Sequence, residues 1–168
     1  MSEPAFREDG PPFSVGMGYD VHAFAEGRPL VLGGVTIPSR RGLLGHSDAD
    51  VLLHALCDAL LGAAALRDIG HFFPNTDERW RGADSRDLLR EVRRLLGEGG
   101  WRVGNADVMV IAEVPKIGPY LEQMSEHIAS DLGLPPGRVS IKATTNEGMG
   151  FVGREEGIAA LANVLLYR

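Results

Sequence analysis

A chain of 168 residues, 44% hydrophobic and 24% charged, has the make-up of one globular domain with a sizeable core. Its net charge of −6 argues against a general nucleic-acid binder, and no apolar run approaches the ~20 residues that cross a bilayer. A single cysteine, Cys57, excludes an intrachain disulfide, and the acidic, h-region-free start is unlike a targeting peptide, so a cytoplasmic address is expected.

Residues 1–13 mix charge, glycine and proline and read as a disordered lead-in to a single domain over residues 14–168. Val15–Val21 is a predicted strand, and Leu30–Ile37 a second, interrupted by Gly33-Gly34. A turn at Ser39–Gly45 precedes a helix start, where Ser47 with Asp50 forms an acidic version of the capping box. The helix, about Asp48 to Leu66, carries Leu52, Leu53, Leu56, Leu60 and Leu61 over most of its circumference and should be buried, with Cys57 as a small hydrophobe inside it. A turn-rich loop follows over Asp68–Asp77. Asp84 or Ser85 caps the next helix, whose Leu88, Leu89, Val92, Leu95 and Leu96 keep helical spacing until Gly97-Glu98-Gly99-Gly100 stops it. Ala106–Val114 is a predicted strand, Tyr120–Leu132 a helix and Val139–Ala143 a strand. Periodicity leaves Gly157–Tyr167 open between strand and helix. The alternation indicates α/β or α+β packing, with helices against one sheet.

Four groups of residues have the types that carry chemistry. In Asp20-Val21-His22, positions i and i+2 of an extended segment share a face, so both side chains can converge on one ion. His54 stands on the apolar helix with Asp50 and Asp58 one turn to either side, as possible tautomer-fixing partners or as solvated charges. Asp20, His22 and His54 together would leave a fourth tetrahedral position open, a pattern shared by catalytic zinc and, with the same ligand types, non-haem iron. His46-Ser47, at the expected helix start, suits phosphate through amide N–H groups and side-chain donors. In Lys142-Ala143-Thr144-Thr145-Asn146-Glu147-Gly148, hydroxyls suit phosphate oxygens and Glu147 suits a hydrated magnesium ion, although the segment also reads as a polar turn. Lys116 and Arg154 are possible cation partners for the same phosphates. The combination describes a metal-dependent enzyme acting on a phosphorylated small molecule.

GYDVHAF (18–24), LGGVTIP (32–38), GLLGHSDADVLLHALCDALLGAAALRDIGHFFPNTD (42–77), GADSRDLLRE (82–91), GNADVMVIAEVPK (104–116) and KATTNEGMGFVGREEGIA (142–159) occur in that order. From Gly16 onward the chain strongly resembles the 2-C-methyl-D-erythritol 2,4-cyclodiphosphate synthase family. The resemblance implies a homotrimer of ferredoxin-like α/β sandwiches, with active sites between subunits and a strand at Gly157–Tyr167. It implies cyclisation of 4-diphosphocytidyl-2-C-methyl-D-erythritol 2-phosphate, a cytidine diphosphate substrate, with release of CMP. Matched position by position, Asp20, His22 and His54 correspond to ligands of zinc or another divalent transition metal. Glu147 corresponds to a ligand of magnesium or manganese held with the diphosphate, and His46 and Thr145 to groups stabilising the transition state. Matched substrate contacts are Asp20, Val21, His22, His46, Ser47, Asp68, Ile69, Gly70, Phe73, Pro74, Asn75, Thr76 and Asp77. A second set comprises Ala112, Pro115, Lys116, Ile117, Gly118, Thr144, Thr145, Asn146, Glu147, Phe151 and Arg154. The chain departs from the family pattern at Asn146, at Gly118 and at Glu155, where threonine, leucine and glycine are common. No nucleic-acid or membrane partner is expected.

Overall fold

The computed structural model describes residues 11–168, so most of the expected lead-in lies outside the described residues. Strand β1 (Phe13–Glu26) begins within that stretch and runs well past the expected Val21. Gly33 and Gly34 both take positive φ and split the next predicted strand into a hairpin of β2 (Leu30–Leu32) and β3 (Val35–Ile37). Part of the expected turn is a short strand, β4 (Arg41–Leu43), paired antiparallel with the end of β1. Then follow α1 (Val51–Ala63), α2 (Ile69–Phe72), α3 (Ser85–Glu98), β5 (Arg102–Ile111), α4 (Leu121–Leu132), β6 (Val139–Thr144), α5 (Gly150–Gly153) and β7 (Gly157–Tyr167). The open question at the tail resolves as strand.

The sheet runs β4-β1-β7-β5-β6, with only β5 and β6 parallel, which makes it mixed. Helix α1 lies across β1 and β7, α3 packs on α1, and α4 packs on β6 and α3. The leucines of α1 are fully buried because the sheet covers one side and α3 another. Two glycines set how close that helix comes. A Cβ at Gly16 would lie 2.0 Å from the Ala59 carbonyl oxygen, and one at Gly18 1.9 Å from that of Ala55. Helix and strand therefore touch backbone to backbone, running in opposite directions. The next residues on this face of β1, Asp20 and His22, come to the first turns of α1 as a result. Cys57 is buried in the same layer, and burial pushes its thiol far up, so it is chemically inert.

The helix begins later than the capping box suggests. Asp50, not Ser47, is the N-cap, its side chain accepting the Leu53 N–H, while Ala49 sits at φ 60° and the Ser47 hydroxyl accepts the Ala49 N–H. The β-type turn before it consumes the residues assigned to the first helical turn. Helices α3 and α4 are joined by the buried Asp131, which takes two hydrogen bonds from Arg86 and one from Arg90. Glu155 takes φ 57°, a conformation that favours glycine, and its carboxylate accepts from Arg41 Nη2 at 3.3 Å. The opposite face of the sheet is bare in one chain: Val15, Met17, Tyr19 and Val21 are 72%, 68%, 48% and 42% exposed.

Candidate metal centre and ligand cleft

Three ligand atoms converge where β1 meets α1. Asp20 Oδ2 lies 3.0 Å from His22 Nε2 and 3.2 Å from His54 Nδ1, and the two ring nitrogens are 3.1 Å apart. Tetrahedral donors about 2.0–2.1 Å from a zinc-sized ion sit about 3.3 Å from one another, so the triangle has the dimensions of one coordination face. Among the described residues, Asp20, His22 and His54 are the group that could hold a metal.

The tautomers fit the same use. His22 Nδ1 donates to the Leu44 carbonyl at 2.6 Å, and a carbonyl can only accept, so Nε2 presents its lone pair to the centre. On His54, Nε2 lies 2.9 Å from Ser85 Oγ, whose proton is committed to Asp48 Oδ1 at 2.5 Å. Ser85 therefore accepts from Nε2–H, and Nδ1 is left proton-free. A carboxylate oxygen and two imidazole lone pairs at these distances repel unless a positive charge sits among them. In the absence of a cation a proton on either ring can take its place, and there burial raises the Asp20 carboxyl while its bonds to the two histidines outweigh this and hold it well below the carboxylate range. Burial lowers His22, and Asp20 and the Leu44 carbonyl outweigh it and raise it. The donor set thus fits a divalent transition metal.

Asp50 and Asp58, the expected partners of His54, serve other purposes. The Asp50 carboxylate takes the Gly33 and Gly34 N–H groups besides capping α1, and Asp58 takes the Ile69 N–H at 2.7 Å, tying α2 to α1. Burial raises the Asp58 carboxyl against the pull of that amide. Asp48 and Ser85, which do orient His54, are separated by 37 positions in sequence, and no local spacing reveals such a pair.

The triad borders a cleft of about 410 Å³. His22, His46, Ser47, Ile69, Gly70, Phe73, Pro74 and Asn75 of the candidate contacts line it, together with His54, Gly45, Trp80 and Leu88. Trp80 stacks edge-on against Phe73, with ring centroids 5.0 Å apart. The ring nitrogen Nε2 of His46 is 3.4 Å from the Asp77 carbonyl oxygen. The remaining candidates of this loop lie outside the lining: Asp68 caps α2 through the His71 N–H, and the Asp77 carboxylate holds Arg79. Thr76 does not line it either, and Val21 points to the bare face of the sheet. The helix start presents no exposed amides to His46, because Val51, Leu52 and Leu53 are fully buried and Asp50 caps the last of them.

The second candidate set gathers elsewhere, at the ends of β5 and β6. Ala112 and Thr144 are joined by a backbone bond of 3.0 Å, and Thr145 Oγ1 donates to Glu147 Oε1 at 3.1 Å. Glu113 accepts the Asn146 and Gly148 N–H groups and shapes the turn, in which Glu147 takes φ 52°. Ile117 and Ala112 are buried, and the Arg154 guanidinium holds Glu156 at 2.7 Å. Pro115, Lys116, Gly118 and Phe151 belong to the same end of the chain's sheet. Asp20 pairs with Ala160, whose row continues through Val110 to Ala143, so β6 stands three strands from the triad, about 14 Å. A single chain therefore carries the two candidate groups at different places on the sheet.

Fold and site together define a metal-competent α/β protein with a cleft for a small ligand. The YgbB family model matches residues 13–167. A 2-C-methyl-D-erythritol 2,4-cyclodiphosphate synthase of Symbiobacterium thermophilum is 67% identical over 152 residues, 90% of this chain and 97% of its own. The structure of IspF from Plasmodium falciparum in complex with CDP superposes with TM-score 0.82 at 34% identity, over 95% of this chain and 98% of that one. The bifunctional IspDF of Campylobacter jejuni superposes with TM-score 0.89 at 45% identity, covering 92% of this chain and 42% of that longer one. The chain belongs to the 2-C-methyl-D-erythritol 2,4-cyclodiphosphate synthase (YgbB) family.

Proposed function

We propose that this chain converts 4-diphosphocytidyl-2-C-methyl-D-erythritol 2-phosphate to 2-C-methyl-D-erythritol 2,4-cyclodiphosphate and CMP, as a step of non-mevalonate isoprenoid synthesis. The observation that carries the proposal is the Asp20–His22–His54 triangle of ligand atoms opening on the ligand cleft. The 2-phosphate oxygen attacks the β-phosphorus, the bond from that phosphorus to the CMP oxygen breaks, and no water enters. Such a reaction asks the protein for positioning and charge neutralisation, not for a covalent intermediate. Asp20, His22 and His54 hold zinc or a similar divalent ion, and Glu147 a magnesium or manganese ion. These cations, when bound, supply Lewis acidity and charge neutralisation to the phosphate groups.

The chain's own groups do the rest. His46 and Ser47 offer hydrogen bonds to phosphate at the cleft mouth, and the Ile69–Asn75 wall excludes water around the erythritol. Thr144, Thr145 and Asn146 donate to the diphosphate, and Lys116 and Arg154 add positive charge. The Ala112–Gly118 loop reads the cytosine. Because the two half-sites stand apart in one chain, the complete site forms between subunits of a homotrimer of ferredoxin-like domains, each spanning residues 14–168. The bare apolar face of β1 supports burial against other copies. Among the described residues no helix is long and apolar enough to cross a membrane.

Phosphorus NMR of the reaction tests the assignment. The expected product with zinc and magnesium shows paired doublets of a cyclic diphosphate, appearing in step with CMP. Open-chain phosphates in place of the doublets would make the protein a metal-dependent phosphohydrolase. Absence of any product from metal-loaded protein would leave a binding protein without catalysis.

A further inference from the structure

A second cleft, of about 660 Å³, stands apart from the one beside the triad. It opens between the C-terminal ends of α3 and α4 and the start of β5, and Tyr167 at the end of β7 forms part of it. Ala160, the β7 partner of Asp20, is seven residues from Tyr167, so the two clefts are about 23 Å apart along the strand. Its volume is in the range of small-molecule sites.

Its electrostatics run against those of the whole chain. The net charge is −6, yet Arg93, Arg102 and Arg138 line the cleft and no aspartate or glutamate does. Most arginines elsewhere, Arg86, Arg90 and Arg94 among them, hold carboxylates. Among the described residues, Arg102 and Arg138 have no such partner, and Arg93 donates only to the Asp131 carbonyl oxygen at 3.2 Å. On the rim, the Arg168 guanidinium stacks on the Trp101 ring, 4.1 Å from its centroid. Several guanidinium forks without internal anions, facing one concave space, match the planar, bidentate chemistry that recognises phosphate oxygens.

We infer that this cleft is a second anion-binding site, for a small phosphate-bearing ligand of the diphosphate class, held by Arg93, Arg102 and Arg138. It is independent of the metal triad and of the reaction proposed above. The two tryptophans separate the sites experimentally, since Trp80 lines the triad cleft and Trp101 the arginine cleft. Inorganic pyrophosphate is titrated into 15N-labelled full-length protein while both indole N–H resonances are followed. The Trp101 resonance shifts saturably, with a dissociation constant below about 1 mM, and does so equally in His54→Ala. In Arg102→Glu/Arg138→Glu the affinity read at Trp101 falls at least about tenfold while the Trp80 response stays as in wild type. The neutral Arg138→Gln, a milder change at an exposed position, weakens it by a smaller factor. An unmoved Trp101, a shift reproduced by potassium chloride at matched ionic strength, or unchanged affinity in a folded double variant would overturn the inference.

Discussion

His54→Ala leaves a protein that folds but no longer retains a metal at the triad, and its turnover falls by about a thousandfold or more. The magnitude follows from losing a Lewis acid worth several kcal/mol of transition-state stabilisation. His54 sits on α1, where alanine is an excellent helix former, and the Ser85 hydroxyl it leaves behind keeps its bond to Asp48. Two ligand atoms, Asp20 Oδ2 and His22 Nε2, remain, too few to close a coordination face. Metal content after dialysis, together with the rate of CMP release, checks the prediction. Activity within tenfold of wild type in a variant without bound metal would contradict it.

Asp50→Ala is expected to have the largest effect on stability, about 3–5 kcal/mol. The carboxylate is fully buried, caps α1 through Leu53 N–H, and takes the Gly33 and Gly34 N–H groups at 3.0 and 2.8 Å. Losing a cap costs about 1 kcal/mol, and each buried amide left without an acceptor about 1–3 kcal/mol. Urea unfolding of the two proteins measures the difference. Burial pushes the carboxyl up to about 6, against the pull of the amides. The folded state therefore binds this proton more tightly than the unfolded one, and the group's contribution to stability falls as pH rises from about 4 to 6. Asp50→Asn lacks that titration, so its deficit against wild type is greatest below about pH 4 and shrinks above about pH 6. A deficit that grows with pH over this range would reverse the assignment.

The elements with the strongest periodicity were readable from residues alone. Leu88, Leu89, Val92 and Leu96 face the core of α3 as their spacing requires, and Asp84 caps it. Asp20 and His22 share a face because they are two apart on a strand, which needs no tertiary knowledge. That His54 meets them depends on Gly16 and Gly18 letting α1 touch β1, a contact no local pattern encodes. The Ser47 cap failed because Ala49 enters the left-handed region and delays the helix to Asp50. Three residues are too few to show alternation, so β4 is not legible in the sequence. In β7, Ile158, Ala160, Ala162, Val164 and Leu166 are buried while Leu161 and Leu165 on the other face are apolar too, so alternation was masked. Only the family resemblance separated strand from helix there.

The triad and the Glu147 segment stand three strands apart in one chain, and the proposal that they meet between subunits is testable with two inactive proteins. His54→Ala lacks the metal triad and Glu147→Gln lacks the second half-site, so each alone is inactive. Mixed trimers carrying different tags on the two variants are isolated and assayed for CMP release. Every mixed ring of three, whichever variant is present twice, joins an intact triad to an intact Glu147 segment at one of its three sites, so about a third of wild-type activity is predicted. Mixed trimers as inactive as their parents would place both halves of each site in one chain and contradict the account.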